Sequence, residues 1–148
     1  KYNILVVKVL RDYGPGYKSD SIASINWVVN NKSGTNGNVI LMGIGRGVSD
    51  SQNKTVNDAV DKGFVTIVSS SNDNTGVCNQ LSASAKKVIT VGPIDVNDKK
   101  SSFSNYESCI DINGPESDIK FACIGCKTNA CVKSSISMVT PHIVGLAA

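Results

Sequence analysis

Histidine occurs once in these 148 residues, at position 142, so a single imidazole is available as a proton-accepting base. Long apolar runs are missing as well. The longest, such as Ile4 to Val7, span four or five residues, far short of the roughly 20 that a membrane-spanning helix needs. No basic run exceeds two residues (Lys86-Lys87, Lys99-Lys100), and 15 basic against 12 acidic residues leave a net charge of only +3. That balance carries no electrostatic footprint for nucleic acid. Repeats, low-complexity tracts and an interdomain linker are absent too. What remains, 41% hydrophobic and 18% charged, is the composition of one ordinary globular domain with a core of its own. Lys1-Tyr2-Asn3 has neither an initiator methionine nor the apolar segment of a signal peptide, and a processed or partial chain is expected.

Five cysteines, at positions 78, 109, 123, 126 and 131, are an odd number, which in a secreted protein leaves one unpaired within the chain. The spacing Cys123-x2-Cys126-x4-Cys131 leaves two readings open, a zinc site or a hairpin disulfide, although neither a histidine nor a second cysteine pair stands at ligand spacing. The tripeptides Asn31-Lys32-Ser33 and Asn53-Lys54-Thr55 match the N-glycosylation pattern and lie in polar stretches expected to be surface loops or helix starts. Both features favour a secreted or extracellular protein.

Tyr2 to Leu10 is a β-branched run that reads as a buried strand, stopped by the turn residues Asp12 to Gly16. Ser19 and Asp20 then suit a helix cap, followed by Ile22, Ile25 and Val29 at helical spacing. Val39 to Ile44 predicts the next strand. A second amphipathic helix carries Val56, Ala59 and Val60, with Gly63 as its terminator. Phe64 to Val68, Val88 to Val91 and Ile110 to Ile112 predict three more strands, and Ser137 to Ala148 a last helix. Alternation of this kind predicts an α/β fold with a largely parallel sheet, helices on both faces, and ligands at the carboxyl ends of the strands.

The segment Ser137-Met138-Val139-Thr140-Pro141-His142 carries the most chemistry. A serine before a helix is ordinarily a cap, but this context resembles the nucleophile segment of the subtilisin-like serine proteases, in which Gly-Thr-Ser-Met-Ala-Thr-Pro-His opens a helix. A serine in a first helical turn has its own N–H unpaired at the positive end of the helix dipole, where a developing oxyanion is stabilised. The resemblance runs through nearly the whole chain and is best to the proteinase K-like branch. Val7-Lys8-Val9-Leu10 is similar to the strand after the family's catalytic histidine helix. Ser101 to Tyr106 resembles a family signature, and Val39 to Gly47 is similar to the strand lining the substrate cleft. Phe64 to Asn72 resembles the strand that delivers the oxyanion asparagine.

The resemblance implies a serine endopeptidase with Ser137 as nucleophile and with the Asn72 amide and the Ser137 N–H holding the tetrahedral intermediate, the two converging at the carboxyl edge of the sheet. It implies a peptide or protein substrate held as an added strand between Gly16-Tyr17-Lys18 and Gly43-Ile44-Gly45, with a specificity pocket walled by Gly43 to Arg46 and by Ser69, Ser70 and Ser71. Further partners would be a propeptide or a missing N-terminal segment. No organic cofactor is implied. Asp111, with backbone carbonyls near Lys86 and Val88, is similar to a calcium site of the proteinase K-like branch, and Cys123 and Cys131 are placed in a hairpin where a disulfide would fit.

Several family glycines are replaced: Gly-Thr before the nucleophile reads Ser135-Ile136, Ala-Gly-Asn reads Ser70-Ser71-Asn72, and Gly-Gly-Gly reads Gly45-Arg46-Gly47. Asn-Tyr-Gly has become Asn105-Tyr106-Glu107, and Ala-Pro-Gly has become Gly114-Pro115-Glu116. If those positions need positive φ or close approach, each change costs about 1 kcal/mol or more. The family's Asp-Thr-Gly and His-Gly-Thr-His motifs are also absent. His142 follows Ser137 by five residues, a helical rotation of about 500° that turns it roughly 140° from the serine. The chain by itself is therefore expected to be inactive and the domain incomplete at both ends. The alternative is a non-catalytic relative that uses the sheet as a peptide-binding or interaction module.

Overall fold

A computed structural model describes residues 3–32, 37–44, 49–70, 78, 83–99, 108–122 and 130–148. Its elements run α1 (Lys18–Asn31), β1 (Val39–Met42), α2 (Asp50–Asp61), β2 (Val65–Ser69), β3 (Ile89–Ile94), β4 (Ile112–Pro115), β5 (Ile119–Ala122), β6 (Ala130–Lys133) and α3 (Ile136–Ala147). Strands β1 to β4 form one sheet in the order β1-β2-β3-β4, and every pairing in it is parallel.

Side chains alternate along β2, and this alternation divides the core in two. Val68 packs with Met42, Phe64, Ile25 of α1 and Val56 and Ala59 of α2. Its neighbour Ile67, fully buried, faces the other way and packs with Val91 and with Val139 and Ile143 of α3. Helices therefore cover both faces, as the alternation of patterns predicts, and α3 lies across all four strands. A strand covered on both sides has no polar face to show, which is why Thr66 to Ser69 are buried without exception.

Ser49 caps α2, its hydroxyl accepting from the N–H of Gln52, and Gly63 at φ +88° lets the chain leave the helix in a left-handed conformation that a side chain would strain. The cap expected at Ser19 and Asp20 is not formed. Tyr17 occupies the N-cap of α1, and both residues fall in the first turn, where Asp20 complements the helix dipole.

The buried strand expected over Tyr2 to Leu10 is not formed in the residues described there. The described part, from Asn3, makes no ladder, and Ile4, Leu5 and Val6 are 87%, 51% and 84% exposed. A β-branched pattern supplies propensity only; a parallel strand also needs a hydrogen-bonded neighbour and cover on both faces. Strand β3 runs past the expected stop at Val91 because only Ile89 to Val91 pair with β2, whereas Gly92 to Ile94 pair with β4 alone. With a neighbour on one side only, Pro93 is spared the demand for an N–H it lacks. Strand β4 accordingly begins at Ile112, where an end was expected. The antiparallel hairpin of β5 and β6 matches no periodicity noted in the sequence, since most of its side chains are exposed.

Cys78 and Cys109 form a disulfide with Cα atoms 5.4 Å apart, a pairing that no local spacing announces across 31 residues. Cys131 is also disulfide-bonded, so its sulfur is no thiolate and the zinc reading of Cys123-x2-Cys126-x4-Cys131 falls. Cys123 and Cys126 lie outside the described residues.

Candidate functional site

Helix α3 starts where the chain leaves β6 through Ser135, whose φ of −170° is extended backbone open to any residue. The replacement of a family glycine there carries no strain, and Glu116 likewise has no positive φ. Ser137 is the second residue of α3, so its N–H has no partner four residues earlier in the helix. Its Oγ donates a hydrogen bond of 2.9 Å to the carbonyl of Gly43, the residue after β1. A Cβ placed on Gly43 would lie 3.6 Å from the Ser137 Cβ, so the start of α3 is in van der Waals contact with the carboxyl end of β1.

Neighbouring strands bring more groups to that edge. Met42 pairs with Val68, and one further step sets Gly43 level with Ser69. Ser69 and Ser70 are buried, and the Ser70 N–H donates to the Val91 carbonyl at 3.0 Å. Ile44, half-buried, continues from Gly43. Ser137, Gly43, Ile44, Ser69 and Ser70 thus gather at the carboxyl edge of β1 and β2, where α/β sheets bind ligands. Asn72, Ser71, Gly45 and Arg46 lie outside the described residues, and with them the expected convergence of Asn72 on Ser137.

The other proposed edge differs from a strand in its conformation. Gly16 precedes the helix, Tyr17 is extended (φ −96°, ψ 151°) and Lys18 is already the first residue of α1. Gly16 has a local reason to lack a side chain, because a Cβ there would collide with the carbonyl of Val9.

His142 sits on the exposed side of α3, with Nδ1 3.1 Å from the Met138 carbonyl one turn back. It does not face Ser137, in keeping with the rotation computed from the sequence. Among the described residues no imidazole or carboxylate hydrogen-bonds to the Ser137 hydroxyl. Among the described residues, the arrangement presents a serine to a sheet edge without the base that would make it a strong nucleophile.

Asp111 spends Oδ2 on the N–H of Thr90, 2.7 Å away, and its own N–H donates to the Thr90 carbonyl. No group of three or more His, Cys, Asp or Glu stands together among the described residues. Beside this one carboxylate, main-chain carbonyls and waters would have to supply most of the six to eight oxygens of a calcium site, and no chemical step is assigned to such an ion.

Glu116 is a charged residue whose importance sequence reasoning missed. It follows β4 and is buried, its N–H donates to the Ile94 carbonyl, and its Oε2 has no hydrogen-bond partner among the described residues. Burial, and secondarily the charge of Asp95, push its carboxyl above the usual glutamate range. Asp95 shifts the other way, because its Oδ1 accepts from the N–H groups of Lys99 and Asn97. The signal available in the sequence was the acidic residue placed where the family has glycine.

Comparisons with known proteins agree with this geometry. The model of the Subtilase family matches residues 1–148. Over 149 residues the chain is 41% identical to "Subtilisin-like protease 2" of Pseudogymnoascus destructans, covering 100% of this chain and 37% of that protein. It is 37% identical over 160 residues to "Subtilisin-like serine protease Pen c 2" of Penicillium citrinum, covering 100% of this chain and 35% of that one. The crystal structure of a cold adapted subtilisin-like serine proteinase superposes with a TM-score of 0.87 at 34% identity, over 94% of this chain and 50% of that chain. The chain spans about a third of the length of the curated relatives it matches. With a parallel sheet, a serine at the start of α3 against the end of β1 and a family match along its whole length, the chain belongs to the subtilase family.

Proposed function

We propose that these residues are the nucleophile-bearing part of a serine endopeptidase that hydrolyses peptide bonds by acyl transfer. The observation that carries this reading is the seating of Ser137 in the first turn of α3 against Gly43. A carbonyl carbon bound at that edge would be attacked by Ser137 Oγ, while the Ser137 N–H and the Asn72 amide hold the oxyanion. The proton acceptor lies outside residues 1–148, since the sequence has one histidine and that one faces away. An extended peptide would lie along Gly43, Ile44 and Gly45 on one side and Gly16, Tyr17 and Lys18 on the other, its side chain entering between Gly43 to Arg46 and Ser69 to Ser71. Disulfide bonds support an extracellular location, and a propeptide or an N-terminal segment would complete the domain.

A second reading, a non-catalytic peptide-binding relative, is favoured by one observation: the Ser137 hydroxyl donates to a main-chain carbonyl. Turnover of a chromogenic peptide by the natural polypeptide that contains these residues separates the two. The peptidase reading expects Ser137→Ala to lower kcat by up to about 10⁶ and Asn72→Ala by about 10²–10³, the scale known for such groups in this family. Peptide binding without turnover in the unsubstituted protein would leave the second reading standing.

A further inference from the structure

The tripeptides Asn31-Lys32-Ser33 and Asn53-Lys54-Thr55 share one pattern but have different surroundings. Asn53 lies within α2, where its Nδ2 donates to Ser84 Oγ at 2.6 Å and its Oδ1 is buried. The Thr55 hydroxyl donates to the Ser51 carbonyl at 2.8 Å. Side chains two apart on a helix point about 200° from one another, so this amide and this hydroxyl cannot meet.

Asn31 is the last residue of α1 and is exposed, its Nδ2 donating to the Trp27 carbonyl at 2.8 Å. Lys32 is extended (φ −129°, ψ 144°). The hydroxyl of the third residue must engage the amide of the first, and an extended residue between them does not impose the separation of about 200° that a helix does. The disulfide-bonded Cys78, Cys109 and Cys131 mark a chain that passes through an oxidising compartment, where oligosaccharide transfer to asparagine takes place.

We propose that Asn31 is an N-glycosylation site and that Asn53 is not. A bond forms between Asn31 Nδ2 and the anomeric carbon of an oligosaccharide carried on a lipid diphosphate. The bond from that carbon to the diphosphate breaks, the diphosphate leaves with the electron pair, and Nδ2 gives up one proton. At Asn53 the same attachment would displace the bond to Ser84 and force sugar between α2 and the segment before β3. This inference stands apart from the peptidase reading.

The test is to direct the chain through the secretory pathway of yeast, recover it from lumen or medium, and measure its intact mass before and after peptide-N-glycosidase. The unsubstituted chain is expected to lose the mass of one oligosaccharide. Asn31→Gln and Ser33→Ala are expected to carry none, the latter while keeping the Asn31 side chain. Thr55→Ala, which leaves the bond from Asn53 to Ser84 intact, should retain it. An unsubstituted chain without oligosaccharide, or one whose oligosaccharide survives Ser33→Ala, overturns the proposal.

Discussion

Ser137 and Gly43 are joined across 94 positions of sequence by a hydrogen bond of 2.9 Å, from the serine hydroxyl to the glycine carbonyl. This contact ties the first turn of α3 to the carboxyl end of β1 and sets the one candidate nucleophile at the edge of the sheet. It also fixes where the hydroxyl proton points, toward a main-chain oxygen that cannot accept it fully.

Gly43 and Gly114 make a contrast that tests the packing around α3. A Cβ on Gly43 would rest 3.6 Å from Ser137, in ordinary contact, whereas one on Gly114 would sit 2.7 Å from Val139 Cγ1 in the buried core. Gly43→Ala is expected to change unfolding free energy by less than about 1 kcal/mol and Gly114→Ala to cost about 1–3 kcal/mol through overpacking. Urea unfolding of the two variants checks the order.

Glu116 predicts the sign of a pH dependence. Its folded-state carboxyl binds a proton more tightly than in the unfolded chain, so the unfolded state binds fewer protons over the window above the ordinary glutamate value. Stability from this group is complete below that value and declines as pH rises through the folded one. Glu116→Gln removes the carboxyl, and the decline toward neutral pH should flatten. A slope unchanged by the substitution would mean that Glu116 is not its source. Asp95 acts oppositely, contributing above the ordinary aspartate range and less as pH falls through its lowered folded value.

The Cys78–Cys109 disulfide closes a loop across a sequence separation of 31 residues. On the chain-entropy account the paired change Cys78→Ser with Cys109→Ser should cost about 3–4 kcal/mol. Thermal unfolding of that double variant against the unsubstituted chain provides the measure.

Much of this architecture could be read from the sequence, and the exceptions have physical reasons. Helix α2 was legible because Val56 and Ala59 keep helical spacing up to a left-handed Gly63, β2 because a strand buried on both faces is mostly apolar, and β1 because Val39 to Met42 are apolar throughout, although only Met42 is buried. Ile4 to Leu10 has the same local signal but no ladder partner, and pairing is not a local property. The Cys78–Cys109 bond escaped notice for that reason also, being made by packing between distant segments. At the site, Ser137 was legible through its neighbours Met138 and Thr140 to His142. The role of Glu116 was not, because nothing nearby in sequence marks a carboxylate as buried.

The central claim is that Ser137 is a nucleophile whose base lies outside residues 1–148. The initial rate of chromogenic peptide hydrolysis by this chain alone, compared with its Ser137→Ala variant, tests it most directly. The account predicts equal rates, both at the level of buffer. Robust hydrolysis abolished by Ser137→Ala would place a base within the chain and contradict it.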